Sequence, residues 1–173
     1  MKKKIFISAV NGPIGYELVR ELKKNFYVIG SDCQLNGLGT KICNKFILSP
    51  PGNSKNFLIF LKKISKLVDQ IFLFADEEIF NLSKNRSKMQ SVIKKMLISP
   101  HRTINLCNDK EKLKKYLVNK ISLPGKTSNK VIIKPRIGRG SKNQLIIKTK
   151  TKKFRNFFLK EKNFIVEKFV EGK

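Results

Sequence analysis

A lysine and a glycine-rich loop follow an apolar run late in the chain, in residues 131–141 (VIIKPRIGRGS). The apolar run predicts a buried strand that carries Lys134 near its end. Gly138 and Gly140 allow the next loop to fold its backbone N–H groups around an anion, and two arginines add positive charge. Lysine meets a phosphate as a point charge. We interpret this segment as a phosphate-binding site; the competing interpretation is a basic hairpin exposed to solvent.

A second glycine turn lies near the N-terminus, in residues 11–15 (NGPIG). It stands between an apolar run and a segment with helical spacing, so the start of a helix would point at a ligand held near Gly12 and Gly15. Asp32 ends the next apolar run, where a ribose would be held. The turn has only G-x-x-G, whereas a dinucleotide fingerprint requires G-x-G-x-x-G. These three residues therefore form a possible second ligand turn.

Strand-like and helix-like segments alternate through the first 98 residues. The apolar runs are residues 4–10, 26–30, 46–48 and 71–75, and helical spacing follows residue 16 and covers residues 54–68 and 84–96. Alternating strands and helices form parallel sheets that helices cover. The sequence predicts an α/β fold with a Rossmann-like parallel sheet of about four strands, strand 1 central, and helices on both faces.

The pattern changes after Pro100. Asn108 and Asp109 are suited to cap a helix that begins at Lys110, and a proline-glycine turn closes that region. Further strands are predicted over residues 131–134, 144–148 and 163–167, with a helix over residues 152–160. We therefore expect a Rossmann-like domain at 1–98, a linker helix region at 99–123, and a small, partial α+β subdomain at 124–173.

The chain is strongly basic. Its 173 residues carry 38 Lys and Arg against 12 Asp and Glu, a formal net charge of +26. That charge alone suggests a nucleic acid as partner. However, 32 of the basic residues are Lys and only 6 are Arg, while Ala occurs twice, which is typical of AT-rich codon usage. Arginine is the residue suited to bidentate phosphate and base recognition. We attribute most of the charge to codon usage and expect no specific nucleic-acid binding.

Composition also limits the compartment and the metal chemistry. Cys33, Cys43 and Cys107 have neither disulfide-framework nor zinc-site spacing, which fits a reducing environment, and we predict no metal site within this chain. The lone His101 has no partner for a triad. No apolar run approaches the roughly 20 residues that span a bilayer. We expect a cytoplasmic protein without membrane contact.

Several of these motifs, in order, resemble the ATP-grasp superfamily. They are Asn108-Asp109-Lys110 at a helix start, VIIKP followed by GRGS, and FIVEKFVEG at residues 164–172. The first 98 residues, with AVNGPIG, VIGSDC and the DEE after the fourth apolar run, resemble the Rossmann-like domain that precedes an ATP-grasp fold. In style the chain is similar to carbamoyl-phosphate synthase large-subunit-like proteins and to biotin carboxylase.

The resemblance implies ATP as the bound nucleotide and assigns nine residues to it. Those expected at the phosphates are Lys110, Lys134, Gly138, Arg139, Gly140 and Ser141. Those expected at the adenine are Glu167, Lys168 and the backbone of Val170. In this family ATP activates a carboxylate or bicarbonate as an acyl phosphate, which an amine or ammonia then attacks. The implied enzyme is an ATP-dependent carboxylate-amine ligase.

The chain departs from the family pattern at its end, since few residues follow FIVEKFVEG. A complete ATP-grasp fold has a second subdomain that supplies the Mg²⁺ ligands and substrate contacts. We therefore expect the Mg²⁺ ligands to lie outside this chain, and we assign no catalytic residue. The expected partners are ATP, an unknown carboxylate, and either a second copy or the missing C-terminal portion. We expect a truncated chain that is inactive alone.

Two other functions fit parts of the sequence. A Rossmann-type NAD(P)-dependent reductase or epimerase would use Gly12 and Gly15 with the pair Tyr116 and Lys120, although such i,i+4 pairs also arise by chance on a helix surface. A basic nucleic-acid-binding module would use the cluster Lys148, Lys150, Lys152, Lys153 and Arg155.

Overall fold

The structure is a computed structural model that describes residues 2–125, 128–138, 140–152, 154 and 163–171. The chain divides into two compact units, Met1–Ile104 and Asn105–Lys173. The finer division into a domain at 1–98, a linker region at 99–123 and a subdomain at 124–173 stays a prediction.

The first unit alternates strands and helices along the chain. Its strands are β1 (Lys4–Ile7), β2 (Tyr27–Asp32), β3 (Lys45–Leu48) and β4 (Gln70–Phe72). Its helices are α1 (Pro13–Leu22), α2 (Leu38–Ile42), α3 (Lys55–Ser65), α4 (Asp76–Lys84) and α5 (Gln90–Ile93), with a 3-10 turn at Arg86–Met89. Helix α6 (His101–Asn108) crosses into the second unit.

The four strands form one parallel sheet in the order β3-β2-β1-β4. Strand β1 pairs with β2 at Phe6 opposite Ile29, and with β4 at Phe6 opposite Ile71. Because β1 is hydrogen-bonded on both sides, it lies inside the sheet, as predicted. The carboxyl ends of all four strands meet at one edge, where a parallel sheet places its ligand sites.

Apolar side chains cover both faces of this sheet. On one face Phe6 packs with Phe57 and Leu61 of α3, and on the other Ile7 packs with Val19 of α1. All five side chains are fully buried. The predicted Rossmann-like sheet with helices on both faces is therefore confirmed.

The structure differs from the predicted elements in three places. The single helix expected over residues 84–96 is wrong: α4 ends at Lys84, and residues 86–93 form a 3-10 turn and a short helix. Helix α2 and helix α6 were not predicted. Helix α6 begins directly after Pro100, because a proline ends one element and yet suits the first turn of the next.

Two glycines make the turn after β1 possible. A Cβ added at Gly15 would lie 2.3 Å from the Ala9 carbonyl oxygen, and one at Gly39 would lie 1.8 Å from that of Val10. Ala9 itself has φ of 50°, a left-handed conformation that ends β1 early. Backbone therefore packs directly on backbone at this edge of the sheet.

The second unit contains α7 (Lys110–Leu117) and a three-stranded antiparallel sheet. Its strands are β5 (Lys130–Pro135), β6 (Leu145–Lys148) and β7 (Phe164–Lys168), in the order β6-β5-β7. Val131, Ile133 and Ile147 form its small buried core. Most of the helix predicted over residues 152–160 lies outside the described residues.

No helix among the described residues has the length and apolar character needed to cross a membrane.

Candidate functional site

Strand β5 places Lys134 on the face of the sheet opposite the core. Val131 and Ile133 are buried, and alternation along the strand puts Ile132 and Lys134 on the other face. Glu167 of β7 lies opposite Ile132 and shares that face. The antiparallel register thus brings together a lysine and a glutamate that are 33 residues apart in the chain.

Glu167 lies between two lysines. Lys134 Nζ is 3.0 Å from Glu167 Oε2, and Lys114 Nζ, from α7, is 3.3 Å from Oε1. Burial raises the pKa of Glu167, but the hydrogen bonds from Lys134 and Lys114 outweigh that effect and hold the pKa below its ordinary value. The glutamate is therefore ionised at neutral pH and keeps both ammonium groups at the sheet face.

The loop after β5 contains several residues with positive φ. Gly138, Gly140 and Ser141 have φ values of 152°, 61° and 54°. Among the described residues, no hydrogen bond uses the backbone N–H of any of these three. Such N–H groups can turn towards a phosphate. Arg139, assigned to the same loop, lies outside the described residues.

Lys110 reaches this loop from the start of α7. Asp109 caps the helix by accepting hydrogen bonds from the N–H groups of Glu111 and Lys112 at 3.1 and 3.2 Å, as the sequence predicted. Lys110 Nζ donates to the Gly138 carbonyl oxygen at 2.8 Å. The structure therefore joins Lys110 to the loop that follows Lys134.

Arg136 forms ion pairs with two carboxylates of α7 and its N-cap. Its guanidinium binds Asp109 through Nε at 2.7 and 2.9 Å, and binds Glu111 at 2.7 Å. This hydrogen bonding holds the pKa of Asp109 at about 2, against the effect of burial. Sequence reasoning missed both this ion pair and the pair of Lys114 with Glu167, because the partners are far apart in the chain and have no characteristic spacing.

The segment assigned to the adenine follows β7. Lys168 N donates to the Gly125 carbonyl oxygen at 2.7 Å, and Phe169 N donates to that of Lys130 at 3.0 Å. Val170 comes after these two bonds and is exposed. The assignment of Glu167, Lys168 and Val170 to the adenine stays a prediction.

The glycine turn of the first unit is braced by Asp32. One Asp32 carboxylate oxygen accepts from the Asn11 N–H and the other from the Gln34 N–H, each at 3.1 Å. Gly12 caps α1, with a proline as first helical residue. Each carboxylate oxygen can accept more than one hydrogen bond, so these two backbone bonds leave Asp32 able to accept from a ribose hydroxyl as well. The possible second ligand turn at Gly12, Gly15 and Asp32 stays a prediction.

A buried carboxyl group, Glu78, lies near the same edge of the sheet. It is 5% exposed and accepts hydrogen bonds from the Ser8 hydroxyl and, at 3.4 Å, from the Ala75 N–H. Burial raises the pKa of Glu78 to about 7, with the charges of Asp32 and Glu77 adding to that effect. The sequence places three acids after the fourth apolar run but does not show that one of them is buried.

The reductase-like pair lies at the end of α7, with Tyr116 in the helix and Lys120 in the turn that follows it. Lys120 Nζ is 3.7 Å from the centroid of the Tyr116 ring, and Tyr116 is half exposed. A lysine stacked on the face of its tyrosine makes a cation–π contact. His101 hydrogen-bonds Ser83 through Nδ1 at 2.9 Å and packs edge-on against Phe80, which is a structural role.

The described carboxylates at the site do not fit Mg²⁺. Asp109 and Glu111 bind Arg136, and Glu167 binds two lysines. Within the described ranges no group of three or more His, Cys, Asp or Glu residues could hold a metal ion. We derive no step through a metal from these residues.

Solved structures share this fold. Over 99% of its length the chain resembles N5-carboxyaminoimidazole synthetase from Staphylococcus aureus, determined with ADP (TM-score 0.73, 18% identity, 48% of that protein covered). Over 98% it resembles the Thermotoga maritima N5-carboxyaminoimidazole ribonucleotide synthetase (0.69, 22%, 46%). Over 99% it resembles an L-amino acid ligase from Bacillus licheniformis (0.65, 13%, 45%).

These neighbours are ATP-grasp enzymes, so the likeness confirms the fold that the sequence resemblance implied. The chain spans about half the length of these proteins. No protein-family model and no curated protein sequence matches the chain.

Proposed function

We propose that the chain is the nucleotide-binding portion of an ATP-dependent carboxylate-amine ligase of the ATP-grasp type. One observation carries the proposal: Lys110 and the loop after Lys134 are joined at 2.8 Å, beside backbone N–H groups that no described residue binds. Two lysines and a loop in left-handed conformation suit the oxygens of a polyphosphate. A fold shared with a protein determined with ADP supports the same ligand.

In this proposal Lys110 and Lys134 neutralise the phosphates, and the loop at Gly138, Gly140 and Ser141 donates its N–H groups to them. Lys134 leaves Glu167 when the phosphates arrive, and Lys114 remains to balance that carboxylate. Strand β7 and Val170 present main-chain groups to the adenine. Bound ATP supplies the phosphoryl group that activates a carboxylate or bicarbonate for attack by an amine or ammonia. The protein contributes position and charge compensation.

The proposal is tested by calorimetric titration of the 173-residue chain with ADP and ATP, and with NADH and NADPH as the alternative ligands. We expect saturable, single-site binding of ADP and ATP, and no binding of NADH or NADPH. Saturable NADPH binding that Tyr116→Phe weakens would favour the reductase instead.

The remaining parts of the function are also proposals. The chain spans about half of its structural neighbours. We therefore propose that a further portion of the protein or a second copy associates with this chain and supplies the Mg²⁺ ligands and the contacts to the carboxylate substrate. A cytoplasmic location is proposed from the three cysteines, whose spacing fits a reducing environment.

We expect the 173-residue chain to bind ATP without turning it over. Transfer of a phosphoryl group needs a metal to bridge the phosphate oxygens, and the described acids at the site are held in ion pairs. Phosphate release should stay at background in the presence of Mg²⁺ and a panel of carboxylates. Metal-dependent release above background would contradict this expectation.

Nucleic-acid binding should be weak and unspecific. Lys148, Lys150 and Lys152 are exposed, whereas Lys153 and Arg155 lie outside the described residues. Lysines without base contacts bind through phosphate charge alone, so binding should vanish between about 50 and 200 mM salt. Fluorescence anisotropy with RNA and DNA oligonucleotides measures this. Submicromolar, sequence-selective binding at physiological salt would show the opposite.

A further inference from the structure

We propose that Arg136 is a positioning residue for Lys110: through Asp109 it fixes the first turn of α7 against the segment after β5, so that the Lys110 ammonium and the loop meet the phosphates as one unit. The inference rests on the proposed function and adds a role for a residue that would not itself contact the nucleotide.

All three guanidinium nitrogens of Arg136 bind carboxylates. Its Nε and Nη2 bind Asp109 at 2.7 to 2.9 Å, and its Nη1 binds Glu111 at 2.7 Å. The planar guanidinium matches a carboxylate with two parallel hydrogen bonds, which adds direction as well as attraction. The Asp109 carboxylate in this pair is 4% exposed. Arg136 therefore holds a buried carboxylate in a defined orientation.

Asp109 passes this constraint to the helix. The same carboxylate that binds Arg136 accepts the N–H groups of Glu111 and Lys112, so its position fixes the start of α7. A carboxylate held by several donors has little freedom to rotate. The residue between the cap and these N–H groups is Lys110.

The main chain closes the arrangement. Lys110 N donates to the Arg136 carbonyl oxygen at 3.1 Å, and Lys110 Nζ donates to the Gly138 carbonyl oxygen at 2.8 Å. Arg136 N donates in turn to the Asn163 carbonyl oxygen at 2.8 Å, beside the start of β7. Lys110 is thus bound by backbone and by side chain to residues on either side of Ile137. A flexible lysine is ordered before its ligand arrives, which reduces the entropy lost on binding.

The test compares Arg136→Lys with Lys115→Gln. Lysine keeps the charge but cannot form the two-pronged pair, whereas Lys115 is an exposed residue of α7 whose partner is Glu111. We expect Arg136→Lys to weaken ADP binding about 5- to 20-fold by calorimetry and Lys115→Gln to change it less than twofold. In a Lys110→Met background, Arg136→Lys should cause no further loss, because its effect passes through Lys110. An equal loss in both backgrounds, or no loss in either, would overturn the inference.

A second measurement does not depend on nucleotide. Hydrogen exchange of the Lys110 and Lys112 amides, followed by NMR, should be at least about tenfold faster in Arg136→Lys than in Lys115→Gln, because the bonds that protect those amides depend on the ion pair between Arg136 and Asp109. Unchanged exchange overturns the inference whether or not ADP binds. If the wild-type chain binds no adenine nucleotide while exchange responds as expected, the proposed function fails and the ion pair between Arg136 and Asp109 has a structural role only.

Discussion

Replacing Lys134 by methionine is expected to weaken binding of ADP and ATP by on the order of 100-fold. A hydrogen bond to a charged group contributes about 1.5–3 kcal/mol, and each 1.4 kcal/mol is tenfold in affinity. The substitution also leaves Glu167 with Lys114 as its remaining cation, so a partly buried negative charge lies nearer to the incoming phosphates. Methionine fills a similar volume, which keeps the sheet face packed.

Two further variants serve as controls for Lys134→Met. Lys148→Met removes the same charge from the same sheet, at an exposed position with no carboxylate partner among the described residues, and should change affinity less than threefold. Gly12→Ala tests the other glycine turn; its Cβ would lie 3.3 Å from the Ala9 carbonyl oxygen, a contact that a small shift relieves. If Gly12→Ala abolished nucleotide binding and Lys134→Met left it unchanged, the site would belong to the first unit.

Replacing Glu78 by glutamine is expected to remove a pH dependence of stability worth about 3 kcal/mol. The folded-state pKa of Glu78 is about 7, against an ordinary value of 4.5. Between these two values the folded chain holds a proton that the unfolded chain releases, so the free energy of unfolding falls as the pH rises. Above pH 7 the buried carboxylate is charged and the full cost is present. Glutamine accepts the Ser8 hydrogen bond without a charge.

The measurement is urea unfolding at pH 4.5 and at pH 8, followed at core amides of the first unit. The advantage of Glu78→Gln over the wild-type chain should grow by about 3 kcal/mol between the two pH values. Glu77→Gln, in the same first turn and exposed, serves as control and should show no comparable growth. An advantage that stays constant with pH would mean that Glu78 is ionised at an ordinary pKa.

Elements that are determined by nearby residues could be predicted from the sequence. A short apolar run between turn residues predicted β5, and the capping preference of aspartate predicted the start of α7 at Lys110. Alternation of strands and helices predicted the parallel sheet with β1 inside. In each case the deciding interaction lies within a few residues or follows from a topological rule, so a single sequence is sufficient to predict the element.

Two of the features that sequence reasoning missed have distant causes. Lys114 meets Glu167 across 53 residues, and Arg136 meets Asp109 across 27, so neither pair has a characteristic spacing. The break in residues 84–96 lies at Asn85, which ends α4 and whose side-chain amide donates to the Asn81 carbonyl oxygen at 2.9 Å. A side-chain bond to the backbone of the preceding turn competes with continuation of the helix.

The glycines behind β1 set a limit on how this gene can vary. Gly15 and Gly39 face main-chain carbonyl groups at distances that no Cβ can occupy, and every single-nucleotide change of a glycine codon to another amino acid introduces one. Codon usage that enriches lysine, asparagine and isoleucine elsewhere in the chain therefore meets a barrier at these two positions. Drift in base composition can add lysines at the surface. At Gly15 and Gly39 the backbone contacts at the edge of the sheet select against the same drift.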